Sequence, residues 1–219
     1  MPILKFQAVL FDMDGTLLDT LEDIAGSMNR VLELNGLPTH LVDRYRRFVG
    51  SGIEKLASNV LPDAQRTGER VRELSQQMGE EYSRRWHDKT RLYPGVMHML
   101  EGLGERGVRF GILSNKPDKF TKMIYDYFLS RWNFEVVLGA SAELPKKPDP
   151  TAALFIAKKM GIEPSQFIYL GDSDTDMKTA IAANMYPVGA LWGFRDAKEL
   201  RESGAKMLLH RPEDLLKML

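Results

Sequence analysis

Near the start of the chain stands Ala8-Val9-Leu10-Phe11-Asp12-Met13-Asp14-Gly15-Thr16, an apolar run followed at once by two carboxylates. Continuous apolar runs are typical of buried strands in open α/β sheets, and ligands bind beyond the carboxyl ends of such strands. A tight turn at this point would need one capping carboxylate, with Gly15 at positive φ. Because a second carboxylate adds repulsion that folding does not require, Asp12 and Asp14 indicate chemistry at the strand end.

Composition and charge restrict the classes of protein to which the chain can belong. Of its 219 residues, 43% are hydrophobic and 27% charged, which is ordinary globular usage for one large or two small domains. Thirty basic residues balance thirty acidic ones, so no long-range field favours a nucleic acid or an anionic membrane as partner. The chain has no Cys, which excludes disulfides and thiol catalysis. Residues 1–6 show no signal-peptide pattern and no segment reaches the roughly 18 apolar residues of a membrane span, so we expect a cytoplasmic protein.

Helical patterns fill the part of the chain that follows the first strand. Asp19-Thr20 can cap a helix with apolar residues at helical spacing from Leu21 to Leu32, and Asn35-Gly36 ends it. Further helical patterns are found at 40–47, 53–60 and 71–86. No strand pattern interrupts them, so this block is predicted to be an insertion into the rest of the fold.

Strands and helices alternate from Tyr93 to the end of the chain. We predict strands at 108–113, 135–138, 167–170 and 186–190, and helices at 96–106, 118–129, 151–160, 174–183 and 213–218. Alternation of this kind implies right-handed crossovers and a parallel sheet. The predicted architecture is therefore an α/β fold with a Rossmann-like parallel sheet, made of a discontinuous core domain (1–18 and 90–219) and an inserted helical cap domain (19–89).

Four polar stretches follow predicted strands or begin predicted helices. They are Asp12 with Asp14, Ser114-Asn115, Lys146-Lys147 before Pro148, and Gly171-Asp172-Ser173-Asp174-Thr175-Asp176. Each has an ordinary explanation when taken alone: a turn, a loop, a solvated pair of lysines, or acidic residues at a helix N-terminus. Their common position at one edge of a parallel sheet instead predicts a site that handles phosphate, with carboxylates, hydroxyl and amide donors and a cation.

With these residues in view, the chain resembles the haloacid dehalogenase superfamily of phosphotransferases. The four motifs of that superfamily run Asp-x-Asp-Gly-Thr, then Ser or Thr, then Lys, then Gly-Asp-x-x-x-Asp, and all four are present in this order. The resemblance implies catalytic roles for four residues: Asp12 as nucleophile, Asp14 as general acid and base, Ser114 as phosphate ligand and Lys147 as the cation that stabilises the phosphate. Lys147 is preferred to Lys146 because the family pattern places the lysine directly before Pro-x-Pro.

The same resemblance implies a Mg²⁺ site. Asp12, Asp172 and the backbone carbonyl of Asp14 would bind the ion, and Asp176 would support these ligands from behind. The resemblance also implies substrate contacts from Gly15, Thr16 and Asn115.

The insertion resembles the helical cap that selects small phosphoesters in this family. Within it, Val49-Gly50-Ser51-Gly52 resembles the Gly-x-Gly loop of phosphoglycolate phosphatases, so Gly50, Ser51 and Gly52 are expected to contact the substrate. The alternative is a helix that starts here with Ser51 as its N-cap. Asp14 argues against dehalogenases, phosphonate hydrolases and cation pumps of the superfamily, because they lack a carboxylate at that place.

We therefore expect a Mg²⁺-dependent phosphomonoester hydrolase that forms an aspartyl-phosphate and acts on a small phosphorylated metabolite, phosphoglycolate before others. Two other functions stay open at this point. A hexose phosphomutase would keep both aspartates, and a catalytically silent regulator would bind a phosphorylated ligand or a protein. Nothing in the sequence indicates an oligomeric state.

Overall fold

The structure is a computed structural model that describes residues 6–219, so the prediction made for the first five residues lies outside it. The strands, in chain order, are β1 (Ala8–Phe11), β2 (Leu18–Asp19), β3 (Arg91–Leu92), β4 (Arg109–Pro117), β5 (Phe134–Ala140), β6 (Phe167–Gly171), β7 (Tyr186–Ala190) and β8 (Met207–Leu209). Six of them form one parallel sheet in the order β5-β4-β1-β6-β7-β8. The α/β fold with a Rossmann-like parallel sheet is confirmed.

The α-helices are α1 (Leu21–Leu34), α2 (Tyr45–Phe48), α3 (Ile53–Val60), α4 (Gly68–Arg85), α5 (Val96–Glu105), α6 (Asp118–Phe128), α7 (Thr151–Met160), α8 (Asp174–Ala182) and α9 (Ala197–Glu202). Short 3₁₀ helices cover Val42–Arg44, Asp63–Gln65, Pro164–Gln166 and Pro212–Met218. The last of these replaces the helix predicted near 213–218. Within residues 6–219, no helix has the length and apolarity required to cross a membrane.

Strand β1 lies at the centre of the sheet and is buried on both faces. It pairs with β4 on one side and β6 on the other, with Phe11 opposite Ile112 and Leu170. Because successive side chains of a strand point to opposite faces, Val9 and Phe11 pack into one hydrophobic cluster and Leu10 into a second. Burial on both faces explains why this strand reads as an unbroken apolar run.

The strand order brings the predicted polar stretches to one edge of the sheet. Asp12 directly follows β1 and Asp172 directly follows β6, its neighbour. On the other side, β4 continues to Pro117, beyond the predicted end at Leu113, with a register shift between these two residues. Ser114 therefore lies in an irregular part of the strand and not in a loop.

A short antiparallel ribbon is formed by the two segments that connect the sheet with helices α1 to α4. Strand β2 pairs with β3, with Leu18 opposite Leu92 and Asp19 opposite Arg91. All four helices lie between these strands in the chain, and no strand interrupts them. A separate cap domain over 19–89 stays a prediction, which this connectivity supports.

Candidate active site

Three buried carboxylates converge where β1 and β6 end. Asp12, Asp172 and Asp176 each offer an oxygen atom, and these atoms lie within 4.8 Å of one another. Asp176 is held in position at the start of helix α8 by a capping box with Ser173, the N-cap residue of that helix. Ser173 Oγ accepts from the Asp176 N–H at 3.3 Å, and the Ser173 N–H donates to Asp176 Oδ2 at 3.1 Å. The cluster contains Asp176, which the sequence had placed behind the metal ligands.

Lys147 supplies the positive charge beside this cluster. Its ammonium lies 2.9 Å from Asp12 Oδ1 and 2.7 Å from Asp176 Oδ1, and its side chain is 1% exposed. The neighbouring Lys146 instead pairs with Glu54 at the surface, at 3.2 Å. Of the two lysines, the structure thus brings Lys147 to the carboxylates.

The carboxylates carry more negative charge than Lys147 balances. Burial, together with repulsion from Asp176, raises the pKa of Asp12 well above its usual range, although Lys147 opposes this. Burial and repulsion from Asp176 raise the pKa of Asp172 to about 7, although the hydrogen bond from the backbone N–H of Phe194 opposes this increase. A buried, oxygen-rich cluster that lacks positive charge fits a hard divalent cation.

Two glycines permit the loops around Asp172 to approach it closely. Gly15 has φ of +83°, and a Cβ there would lie 2.2 Å from Asp172 Oδ2. At Gly193 a Cβ would lie 2.3 Å from the Cβ of Asp172. The Phe194 N–H donates to Asp172 Oδ2 at 2.6 Å. Gly15, expected to contact substrate, thus lies against a carboxylate of the cluster and leaves room for it.

The Asp14 carboxylate is not part of the carboxylate cluster and has partners of its own. Thr20 Oγ1 donates to its Oδ1 at 2.8 Å, and the Lys116 ammonium lies 3.0 Å from its Oδ2. Both oxygens of the Asp14 carboxylate thus have partners in Thr20 and Lys116, and a metal contact through its backbone carbonyl stays a prediction.

Ser114, Asn115 and Thr16 differ in what they offer to a substrate. Ser114 lines the cavity described below, and its hydroxyl accepts from the Lys116 N–H at 3.2 Å. The Asn115 side chain is taken up by backbone: its amide donates to the carbonyls of Gly50 (3.1 Å) and Lys147 (3.0 Å), and its oxygen accepts from the Lys147 N–H at 2.9 Å. Asn115 therefore links two backbone segments and has no amide hydrogen left for a phosphate. Thr16 is fully buried away from the cavity, and its hydroxyl has no partner among the described residues.

A cavity of about 60 Å³ lies between the sheet edge and the helices that follow β2. Its polar floor consists of Asp12, Asp14, Ser114, Asn115 and Lys116, and its wall of Ile24, Val49, Gly50, Gly52, Ile53, Leu56, Met78, Tyr82, Pro117 and Phe120. The catalytic candidates on the sheet and the loop before α3 thus face the same space.

The loop before α3 adopts backbone angles that favour glycine. Gly50 has φ of +117° and Gly52 of +91°, and Gly52 is the N-cap position of α3. The alternative that Ser51 caps this helix is therefore wrong. Ser51 is exposed and does not line the cavity, whereas Gly50 and Gly52 do.

Sequence reasoning missed two further lining residues, Lys116 and Tyr82. Lys116 directly follows Ser114-Asn115, which is a signal, but Tyr82 reads only as part of the apolar face of α4. Lys116 Nζ donates to the Tyr82 hydroxyl at 3.1 Å. Burial raises the pKa of Tyr82 to about 12, although Lys116 opposes this, so the phenol keeps its proton at neutral pH.

Two arginines, also missed, join the loop before α3 to the loop after β7. Arg195 donates to the carbonyl of Val49 at 2.8 Å and to that of Arg46. In return, Arg46 donates to the carbonyl of Gly193 at 2.9 Å. Because Gly193 and Phe194 contact Asp172, these bonds connect the cavity wall to the carboxylate cluster.

Comparison with known proteins agrees with the fold and identifies the family. The family model of haloacid dehalogenase-like hydrolases matches residues 9–190. A phosphoglycolate phosphatase of Aquifex aeolicus is 30% identical over 97% of this chain and 96% of its own length. One of Pseudomonas savastanoi pv. phaseolicola is 31% identical over 96% of this chain and 78% of its own. A crystal structure from Lactobacillus delbrueckii subsp. bulgaricus superposes with a TM-score of 0.92 at 26% identity, over 98% of both chains.

The chain therefore belongs to the haloacid dehalogenase-like hydrolases. Within that family it is an enzyme of the phosphatase type, similar to the phosphoglycolate phosphatases.

Proposed function

We propose that this phosphatase is a Mg²⁺-dependent phosphomonoesterase that acts through an aspartyl-phosphate on Asp12. The observation that carries the proposal is the position of the Asp12 carboxylate, at the end of β1, in the cavity floor and 2.9 Å from the Lys147 ammonium. A carboxylate is a nucleophile once ionised, and it needs no base to attack phosphorus.

The residues present fit a Mg²⁺ ion. Asp12, Asp172 and the backbone carbonyl of Asp14 would hold the ion. Asp176, which accepts hydrogen bonds from Lys147 and Ser173, would keep these ligands in position. When bound, the ion supplies positive charge that offsets the repulsion between the carboxylates and the phosphate oxygens. That repulsion is about 4 kcal/mol for one pair of unit charges 4 Å apart at an effective dielectric of 20.

The side chains divide the two half-reactions between them. Asp12 attacks phosphorus, and Asp14, when protonated, donates its proton to the leaving oxygen. Asp14 then takes a proton from the water that attacks the acyl phosphate. Lys147 keeps Asp12 in place and neutralises part of the charge on the phosphoryl oxygens, and Ser114 donates its hydroxyl to one of them.

We assign a small phosphorylated metabolite as substrate, with phosphoglycolate first among the candidates. The cavity places the small polar floor beside a mainly apolar wall, which suits a small phosphoester. The loop formed by Gly50, Ser51 and Gly52 closes one side of the cavity, and among the described residues its N–H groups have no acceptor. Relatives at about 30% identity carry the name phosphoglycolate phosphatase, which supports the choice.

A phosphate-release screen across small phosphoesters, with and without Mg²⁺, tests the activity, and Asp12→Asn tests the mechanism. We expect Asp12→Asn and excess chelator each to abolish turnover, with the fold retained by circular dichroism. A beryllium trifluoride complex should show the mimic joined to the Asp12 carboxylate. Wild-type turnover in excess chelator, or the mimic on a serine or histidine, would contradict the mechanism.

A further inference from the structure

Lys116 is a buried lysine with one hydrogen-bond donor to spare. Its side chain is 6% exposed, and its ammonium contacts Asp14 Oδ2 at 3.0 Å and the Tyr82 hydroxyl at 3.1 Å. An ammonium has three N–H donors, and the structure shows no further acceptor for it within residues 6–219. Because Lys116 lines the cavity, the remaining donor is available to a molecule bound there.

Tyr82 offers a second donor at the same place. Its hydroxyl oxygen accepts from Lys116, and no described residue accepts the hydroxyl proton. Phe120 packs edge-on against the Tyr82 ring, with centroids 5.3 Å apart, and fixes its position. Lys116 comes from β4 and Tyr82 from α4, so the sheet and the cavity wall each contribute one donor.

Besides these two donors, the described lining offers an anion only uncharged donors, namely the Ser114 hydroxyl and the N–H groups of Gly50 and Gly52. Among the described residues that line the cavity, Lys116 is the one with a cationic side chain, since the Lys147 ammonium does not line it. The wall is otherwise mainly apolar, with Ile24, Leu56 and Met78 among its members. Asp12 and Asp14 in the floor would repel a second anion that had no cation beside it.

We infer that Lys116 and Tyr82 form a subsite for a carboxylate on the leaving-group side of the phosphoester, and that this subsite sets the preference for acidic substrates. The inference rests on the proposed phosphatase function and adds to it the part of the substrate beyond the phosphate. Lys116 Nζ and the Tyr82 hydroxyl are 3.1 Å apart, so both oxygens of one carboxylate can accept from them. A hydroxyl in place of the carboxylate offers the ammonium one neutral acceptor instead of a charged one, and such a hydrogen bond is weaker.

The test compares phosphoglycolate with 2-hydroxyethyl phosphate, an analogue of nearly the same size whose leaving group has a neutral hydroxyl in place of the carboxylate. We expect the wild type to prefer phosphoglycolate in kcat/KM by at least tenfold. Lys116→Met should lower this ratio at least tenfold, and Tyr82→Phe, which removes only the hydroxyl, should lower it about threefold or more. Lys119→Met serves as control because it removes the same charge from an exposed position on α6 and should leave the ratio unchanged.

Each remaining outcome has a distinct meaning. Equal losses on both substrates in Lys116→Met would overturn the subsite and assign Lys116 to the positioning of Asp14 alone. A wild-type ratio near one would also overturn it. Release of phosphate from neither substrate nor any other phosphoester would instead refute the proposed function. If Lys116→Met does not fold, judged by its melting temperature, the ratio in Tyr82→Phe decides.

Discussion

The carboxyl group of Asp172 binds its proton more tightly in the folded chain than in the unfolded chain. Its pKa rises to about 7 in the fold, chiefly through burial, from a usual value of 3.8. The unfolded state therefore ionises first as the pH increases, and the folded state loses relative stability between these two values. The contribution of Asp172 to stability is thus present at low pH and is lost towards neutrality when no metal is bound.

For the metal-free protein, Asp172→Asn is expected to raise the melting temperature at pH 8 by on the order of 4 °C and to have little effect at pH 4. Asparagine keeps an acceptor for the Phe194 N–H but carries no charge. Thermal unfolding in chelator at both pH values measures the difference. Added Mg²⁺ should stabilise the wild type and not the variant.

The control for that experiment is Asp174→Asn, two residues further on. Although partial burial opposes it, the hydrogen bond from Lys178 lowers the pKa of Asp174, so loss of its charge should not stabilise the protein at pH 8. If both variants raise the melting temperature equally, general relief of acidic charge explains the result and the argument from Asp172 is wrong.

At the residue scale, the sequence indicated the site residues mainly by their position directly after a predicted strand. Asp12 and Asp172 follow strands that are visible as apolar runs, so their convergence was predictable. Tyr82 was not predictable in this way, because its contact to Lys116 joins residues 34 positions apart and depends on how α4 packs over the sheet. The hydrogen bonds of Asn115 were not predictable, because its partners are backbone groups, which carry no sequence signal.

Among the loops, the segment after β7 acts on the cavity through Arg195. Its guanidinium donates to the carbonyl of Arg46 in α2 and to that of Val49, where the loop before α3 begins. Glu199 on α9 accepts from it at 3.0 Å. Arg195 does not itself line the cavity. Its loss should therefore disorder the wall and leave the reacting groups in place.

We expect Arg195→Met to raise KM about fivefold or more for phosphoglycolate and for 2-hydroxyethyl phosphate alike, with kcat changed less than twofold. Hydrogen bonds from a charged donor contribute about 1.5–3 kcal/mol each, which allows an effect of this size. Steady-state kinetics on both substrates provide the measurement. Lys198→Met, at a position with an 81% exposed side chain on α9, should leave both constants unchanged. An unaltered KM in Arg195→Met would show that the loop holds its shape without this residue.

Some helices and strands were predictable at their bounds, and very short ones were not. Helices α3 and α7 and strand β7 have the predicted limits. Strands β2 and β3 have two residues each and β8 has three, too few to show alternation, and β8 forms an edge where Met207 is exposed. The segment predicted as a helix over 40–47 divides into a 3₁₀ helix and the four-residue α2.

At the scale of the whole molecule, the buried carboxylate of Asp23 links the segment that leads from the sheet into α1 with the segment that leads from α4 back to the sheet. Asp23, near the start of α1, is 5% exposed. It accepts from the N–H groups of Lys89 at 3.0 Å and Thr90 at 2.8 Å, and from the Thr90 hydroxyl at 2.7 Å. The residues just after β2 are thereby bonded to those just before β3.

Asp23→Ala would leave these buried donors without an acceptor, so we expect a loss of about 2–4 kcal/mol in the free energy of unfolding. For a chain of this length, that corresponds to a decrease of about 4–16 °C in the melting temperature. Differential scanning calorimetry of the variant and of Glu22→Ala, an exposed neighbour, provides the comparison. A melting temperature equal to that of Glu22→Ala would mean that water replaces the lost bonds.

The pairing of β2 with β3 also bears on how this architecture could have acquired its helices. Since Leu18 and Leu92 are direct partners, the chain leaves the sheet and returns to it at adjacent points. A segment whose ends are neighbours can be lengthened, shortened or exchanged without moving any strand of the sheet, because the distance that it must span does not change. The ribbon thus marks a place where helices α1 to α4 can be exchanged as a unit while Asp12 and Asp172 keep their positions at the ends of β1 and β6.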